Sequence, residues 1–317
     1  MKNTKIILVL CLGLNSISGY ISGQTSNSST ESKENKEESF SFGNISPVIL
    51  SNGKVEATNT ASLTSYWLTS NFGNVILDRY RITRFENNIN INYGISTTKR
   101  WDIGGQLKYS RLRLDEQARN SPLKVFEKDD GASTSFTGLS MAGLRLRAQP
   151  FAGIPALTLQ ATVNFPILKP SSERTNLNAD RILTDLVSTY FKDLSSDLYI
   201  FLQARYILQI ANQDNKITSH FPGMSAYVVK SFLDQRLFVF PGLAYIGSYA
   251  QYHSGGRLNN QAQFVMAGVG AQFQFSQNLG LFLFTQKPLI YTSKNVIYSD
   301  IIKSSYTDFS LGVRVLL

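Results

Sequence analysis

The chain has 317 residues, of which 43% are apolar, 12% aromatic and only 17% charged, with a formal net charge of +9. Mean hydropathy is −0.10, so Asn, Gln, Ser, Thr and Gly stand where charges are missing, which argues against a disordered chain, a coiled coil and a helical membrane protein. One cysteine, Cys11, and two histidines, His220 and His253, exclude a disulfide framework, a zinc ribbon and a His-rich metal site.

The chain opens with Lys2 and Lys5, an apolar run from Ile6 to Leu14, and the small residues Ser16, Ser18, Gly19, Ser22 and Gly23. That order predicts a secretory signal peptide over 1–23, too short to span a bilayer as a helix. Residues 24–44 are Ser/Asn/Glu/Lys-rich and carry Glu31, Glu34, Glu37 and Glu38 against Lys33 and Lys36. They are read as a disordered periplasmic tail, a spacer or a binding segment. The remainder, 45–317, keeps the whole excess of +9.

From there the pattern is alternation. Phe85, Ile89, Ile91, Tyr93 and Ile95 oppose Glu86, Asn88, Asn90, Asn92 and Ser96. Ala142, Leu144, Leu146 and Ala148 oppose Arg145, Arg147 and Gln149; Leu157 to Phe165 and Leu198 to Ile210 repeat the pattern. Period two marks half-buried strands. Strands are predicted at 57–68, 78–96, 101–114, 134–149, 156–168, 180–191, 197–210, 219–230, 236–249, 260–275, 279–290 and 304–317. Segment 178–194 also fits helical spacing through Ile182, Leu183, Leu186, Val187, Tyr190 and Leu194, and is kept as a strand. Short turns at 97–100, 150–155, 192–196, 231–235 and 276–278 alternate with longer polar connections. Twelve strands with short and long connections in alternation predict an all-β, antiparallel, up-and-down transmembrane barrel over 45–317. In lipid only helices or closed barrels pair every backbone group, and apolar runs of helix length are missing. The expected location is the outer membrane of a Gram-negative bacterium, reached through the periplasm. A soluble sandwich is the alternative fold, but its strands are typically shorter.

Candidate lumen residues follow from the polar faces. Lys108, Arg145, Arg147, Arg205 and Arg314 alternate with lipid-facing positions, with Glu86 and Asp102 on the same faces. A ring of cations would favour anions. The competing reading is a packed polar lumen in which Arg pairs with Glu86, Asp102 or Asp308. Loop 115–133 is long and charged and could fold inward as a constriction. Tyr66, Trp67, Trp101, Tyr245, Tyr249 and Tyr252 lie near strand ends as interfacial girdles. Phe238, Phe240, Phe264, Phe282 and Phe284 suggest an apolar lumen patch or a protein contact. Gly268 and Gly270 sit within a strand, where glycine relieves lumen crowding, and no helix follows as a dinucleotide loop requires.

Three segments carry a family resemblance: Tyr93-Gly-Ile-Ser-Thr97 with Trp101-Asp-Ile-Gly-Gly-Gln-Leu-Lys-Tyr109, Pro155 through Pro166, and Phe309-Ser-Leu-Gly-Val-Arg314. With them the chain resembles a Gram-negative outer-membrane barrel, and more loosely the porin-like transporters grouped with the phenol-degradation meta-pathway family. The resemblance implies passage of small solutes, hydrophobic or aromatic ones among them, and carries no catalytic set. Tyr252-His253-Ser254-Gly255-Gly256 loosely resembles a His-x-Ser-Asn-Gly motif of outer-membrane phospholipases, but adjacent His and Ser point to opposite faces of a strand. The expectation is a passive channel, with neither enzymatic activity nor a cofactor, in contact with membrane lipid and small solutes and not with nucleic acid. The second reading is a non-conducting subunit that binds periplasmic or outer-membrane proteins; a barrel hydrolase ranks last.

Overall fold

A computed structural model describes residues 49–72, 75–98, 100–117, 120–129, 133–151, 153–154, 156–167, 176–177, 179–212, 216–252, 256–293 and 305–317. The expected signal peptide and tail lie outside these residues, as does the His253-Ser254 pair. Twelve strands form one closed antiparallel barrel: β1 (Val55–Phe72), β2 (Val75–Gly94), β3 (Trp101–Asp115), β4 (Ser133–Ala148), β5 (Leu157–Pro166), β6 (Leu183–Asp193), β7 (Leu198–Gln209), β8 (Thr218–Phe232), β9 (Leu237–Gln251), β10 (Asn259–Ser276), β11 (Leu279–Ser293) and β12 (Thr307–Leu316). Each strand pairs with its sequence neighbours, and β12 closes on β1, running from Glu56↔Leu316 to Ser65↔Thr307.

All twelve predicted strands are present. The ambiguous 178–194 segment is β6, an extended strand registered on β5 and β7. Its helical appearance has a simple cause. Leu183, Val187 and Phe191 point inward while Leu186 and Tyr190 point outward, so apolar residues occupy both faces and hide the alternation.

The alternation elsewhere divides inside from outside. On β2, Asn88 and Asn90 are fully buried, while Ile89 and Ile91 are 43% and 55% exposed. On this strand polar side chains therefore face the lumen and apolar ones face outward, the inverse of a water-soluble sheet. Such an exterior is stable only against hydrocarbon, and closure leaves no unpaired edge there. Among the described residues no helix is long and apolar enough to cross a membrane. The hairpin turns around 97–98, 194–197, 233–236 and 277–278 lie at one end with the C-terminus; the long connections lie at the other.

Candidate functional site

The lumen has two unlike walls. The first is polar and is built by β12 and β1–β7. Inward residues Glu56, Thr58, Thr60, Ser62 and Thr64 of β1 stand beside Asn92, Asn90, Asn88, Glu86 and Arg84 of β2. On the other side they meet Arg314, Ser310 and Asp308 of β12. Near the turn end an ionic chain crosses four strands. Arg314 Nε binds Glu56 Oε1 at 2.9 Å, Glu56 Oε2 binds Arg147 Nη1 at 2.9 Å, and Arg147 Nε binds Asp102 Oδ1 at 2.7 Å. Asn92 Nδ2 also donates to Glu56 Oε2 at 3.1 Å, and the Leu50 N–H donates to Asp102 Oδ2 at 3.2 Å. Gly104 gives this network room: a Cβ there would lie 2.3 Å from Asn92 Oδ1. Higher up, Lys108 Nζ meets Glu86 Oε1 at 2.8 Å, with Arg84 Nη1 at 3.6 Å from the same oxygen. Arg205 grips Asp185 with two parallel bonds of 2.7 and 2.6 Å. Such bidentate pairs fix geometry as well as charge.

All seven expected lumen residues, Lys108, Arg145, Arg147, Arg205, Arg314, Glu86 and Asp102, are buried or half-buried and face inward. Most are paired, which is the packed-lumen arrangement. Arg145 differs. Its Nη2 donates to Asn90 Oδ1 at 2.9 Å, and no carboxylate lies within 4.0 Å of it among the described residues. Asp308, expected to pair with Arg, accepts instead from Gln286 Nε2 at 2.6 Å. Described strand residues place six cations inward (Arg84, Lys108, Arg145, Arg147, Arg205, Arg314) against five carboxylates (Glu56, Glu86, Asp102, Asp185, Asp308). The excess of +9 therefore sits mostly off the wall. Glu56 and Asp185 were missed in the sequence, although each faces the lumen; on β6 that face also carries Leu183, Val187 and Phe191. Among the described residues no group of three or more His, Cys, Asp or Glu is arranged to hold a metal ion.

The second wall is aromatic and is built by β7–β11. Phe201, Tyr227, Phe238, Phe240, Phe282 and Phe284 all point inward and are buried. Phe240 and Phe284 are parallel within 7° with centroids 6.1 Å apart, and Tyr227 meets both edge-on. Glycines on facing strands make the space. Gly270 is registered between Phe240 and Phe284, and Gly312 lies opposite Phe282. A Cβ at Gly270 would lie 2.0 Å from the Phe240 ring, and one at Gly312 only 1.8 Å from Phe282. The expected phenylalanine patch is thus lumenal, and the glycines relieve crowding there.

At the loop end, two expectations change. The described part of the β3–β4 connection, 120–129, lies outside the lumen. Its short 3-10 helix, Pro122–Phe126, packs against the outer side of the wall. Phe126 meets outward Phe85 edge-on at 4.9 Å, and outward Arg111 and Arg113 donate to the carbonyl of Glu127. The cause lies in β3, where Arg111, Arg113 and Asp115 fall on the lipid-facing parity and need a polar cover. Replacing 118–131 by a short glycine linker is expected to leave single-channel conductance and reversal potential unchanged. The described end of the β5–β6 connection lies inward instead. Leu177 and Ala179 are buried in the lumen core, and lumenal Arg84 donates from Nη1 and Nη2 to the Leu177 and Asn176 carbonyls at 3.0 Å each. Tyr66, expected in a girdle, also points inward and stacks on Tyr306. Trp101 and Tyr245 do face outward, and Tyr252 is exposed beyond the end of β9.

His220 lies on the outer face near the loop end, its Nδ1 sharing a 2.5 Å hydrogen bond with Tyr206 Oη. It is a rim residue.

A closed, up-and-down antiparallel barrel with an apolar exterior and a polar lumen defines an outer-membrane β-barrel. In fold the chain is similar to an outer membrane channel from Pseudomonas putida F1, at TM-score 0.57 and 16% identity over 85% of this chain and 96% of that one. It is also similar to the beta domain of the Bordetella autotransporter Brka, at TM-score 0.53 and 12% identity over 83% of this chain and 99% of that one. No protein-family model and no curated protein matches the chain.

Proposed function

We propose that the chain is a passive outer-membrane channel for small solutes, and that its preferred solutes pair an aromatic or apolar body with a polar group. The division of the lumen carries this reading: one wall offers ion pairs and amides, the facing wall offers Phe and Tyr rings. A barrel of twelve strands lies between filled eight-stranded barrels and aqueous sixteen-stranded porins, so passage depends on lumen side chains rather than on a wide bore. The substrate range implied by resemblance to the phenol-degradation transporters is consistent with the aromatic wall. The mature chain is proposed to start after residue 23, with 24–44 as a periplasmic spacer.

Ionic selectivity rests on a near balance of lumen charge. Weak anion preference is expected, with Arg145 its main source because it lacks a paired carboxylate. Arg145→Ala is expected to move the reversal potential in a salt gradient toward cations, while Arg205→Ala also releases Asp185 and moves it further. Planar-bilayer recording of the purified chain tests the whole reading. Discrete conductance steps support a channel. A folded but silent barrel overturns it in favour of a non-conducting subunit.

A further inference from the structure

Two asparagines break the apolar exterior. Asn59 of β1 and Asn87 of β2 both lie on the lipid-facing parity, and Asn87 Nδ2 donates to Asn59 Oδ1 at 2.7 Å. Their neighbours on that face are apolar: Ile89 and Ile91 on β2, Leu311 and Val313 on β12. The pair lies deep in the hydrocarbon. Tyr93 and Trp101, outward at the turn end, mark one interface. Asn59 is registered with Ile89, so the two amides stand level with residues 89 and 87 on a strand that reaches the interface at 93. At about 3.3 Å per residue and a tilt of about 40°, that places them roughly 10–15 Å into a belt of about 25 Å.

The bond between them uses one group of each amide. Among the described residues, Asn87 Oδ1 and the Asn59 Nδ2 hydrogens have no partner. Thr285, outward on β11, shows the ordinary solution for a polar group on this face, its hydroxyl donating to the Asp308 carbonyl. The asparagines leave a donor and an acceptor toward hydrocarbon, where an unsatisfied polar group is costly. The shape permits close approach at the same place. Ala57 and Ala61 flank Asn59 on the outward row of β1, so no outward side chain between Val55 and Leu63 is longer than asparagine. Two barrels standing side by side cross their tilted strands at about 80°, so contact between them is confined to a short stretch of this kind.

We infer that this patch is a two-fold interface with a second copy of the chain, closed by a ring of four amides. Each Asn87 donates to Asn59 of its own chain, and each Asn59 donates to Asn87 Oδ1 of the other copy. Every asparagine then donates once and accepts once. An isologous contact meets that condition by symmetry, and acyl chains, which carry neither donor nor acceptor, do not.

The test uses the full chain in outer membranes. Ala61→Cys, registered beside Asn87, is made in a Cys11→Ser background and treated with a short bismaleimide. Leu202→Cys, outward on β7 at the far side of the barrel, is the control. A covalent dimer is expected at residue 61 and not at residue 202. Adding Asn59→Leu and Asn87→Leu is expected to lower the dimer yield about tenfold, the loss of two hydrogen bonds between copies, while the heat resistance of the single barrel is kept or raised. Asn59→Ala replaces the double variant should that fail to fold, and the same fall in yield is expected. A dimer yield at residue 61 no higher than at residue 202 overturns the interface. So does a yield that survives loss of the amides, or crosslinking from residue 61 only to a different outer-membrane protein.

Discussion

Glu56→Ala is expected to destabilise the folded barrel by about 3–5 kcal/mol, the usual cost of stripping one partner from a buried ion pair. Glu56 is fully buried and serves two guanidiniums at once, Arg314 through Oε1 and Arg147 through Oε2. Removing it takes from Arg314 and Arg147 the carboxylate that they share. The change also closes on β12, so it weakens the seam that completes the barrel. The check is the urea midpoint of refolded protein in detergent, with Glu56→Gln as the milder variant that keeps the hydrogen-bonding shape. A loss below about 1 kcal/mol would show that lumen water screens the network as it does exposed pairs. The same variant removes one of the lumenal carboxylates, so its reversal potential is expected to shift toward anions.

Gly270→Val is the second large effect. A Cβ at Gly270 alone would sit 2.0 Å from two atoms of the Phe240 ring and 2.9 Å from Phe284. Both rings are buried and stacked between neighbours, so neither can swing into solvent. Overpacking of this kind costs about 1–3 kcal/mol or more. The folded, unboiled band on a denaturing gel is expected to disappear at a lower temperature than for the unsubstituted chain. Gly105→Ala is the control. It faces outward, and its new Cβ would meet nothing nearer than 3.8 Å. A Gly270→Val barrel as heat-resistant as the control would mean that the aromatic wall repacks freely.

The barrel was legible because its signal is local. Alternation such as Ile89-Asn90-Ile91-Asn92 assigns each side chain to lipid or lumen without knowledge of its neighbours. Lumen residues could be named for the same reason. What they touch could not, because Arg147 reaches Glu56 and Asp102 only through the register of β1 to β4. Glu56 itself sits one residue before the predicted start of β1, and strand ends are set by closure on β12 rather than by composition. The outward lie of the β3–β4 loop did leave a trace. Arg111, Arg113 and Asp115 continue the lipid-facing parity of Leu107 and Tyr109, and charges on that face demand a cover.

The unlike walls make the bore directional across its width. A molecule with a hydroxyl or carboxylate at one end of an aromatic ring experiences a torque in such a bore. Its polar end turns toward Arg145 and Asn90, and its ring toward Phe240 and Phe284. On the proposed channel reading it is expected to travel broadside, not end-on. Positional isomers of equal mass and equal hydrophobicity are then expected to cross at different rates, sorted by where their substituents sit.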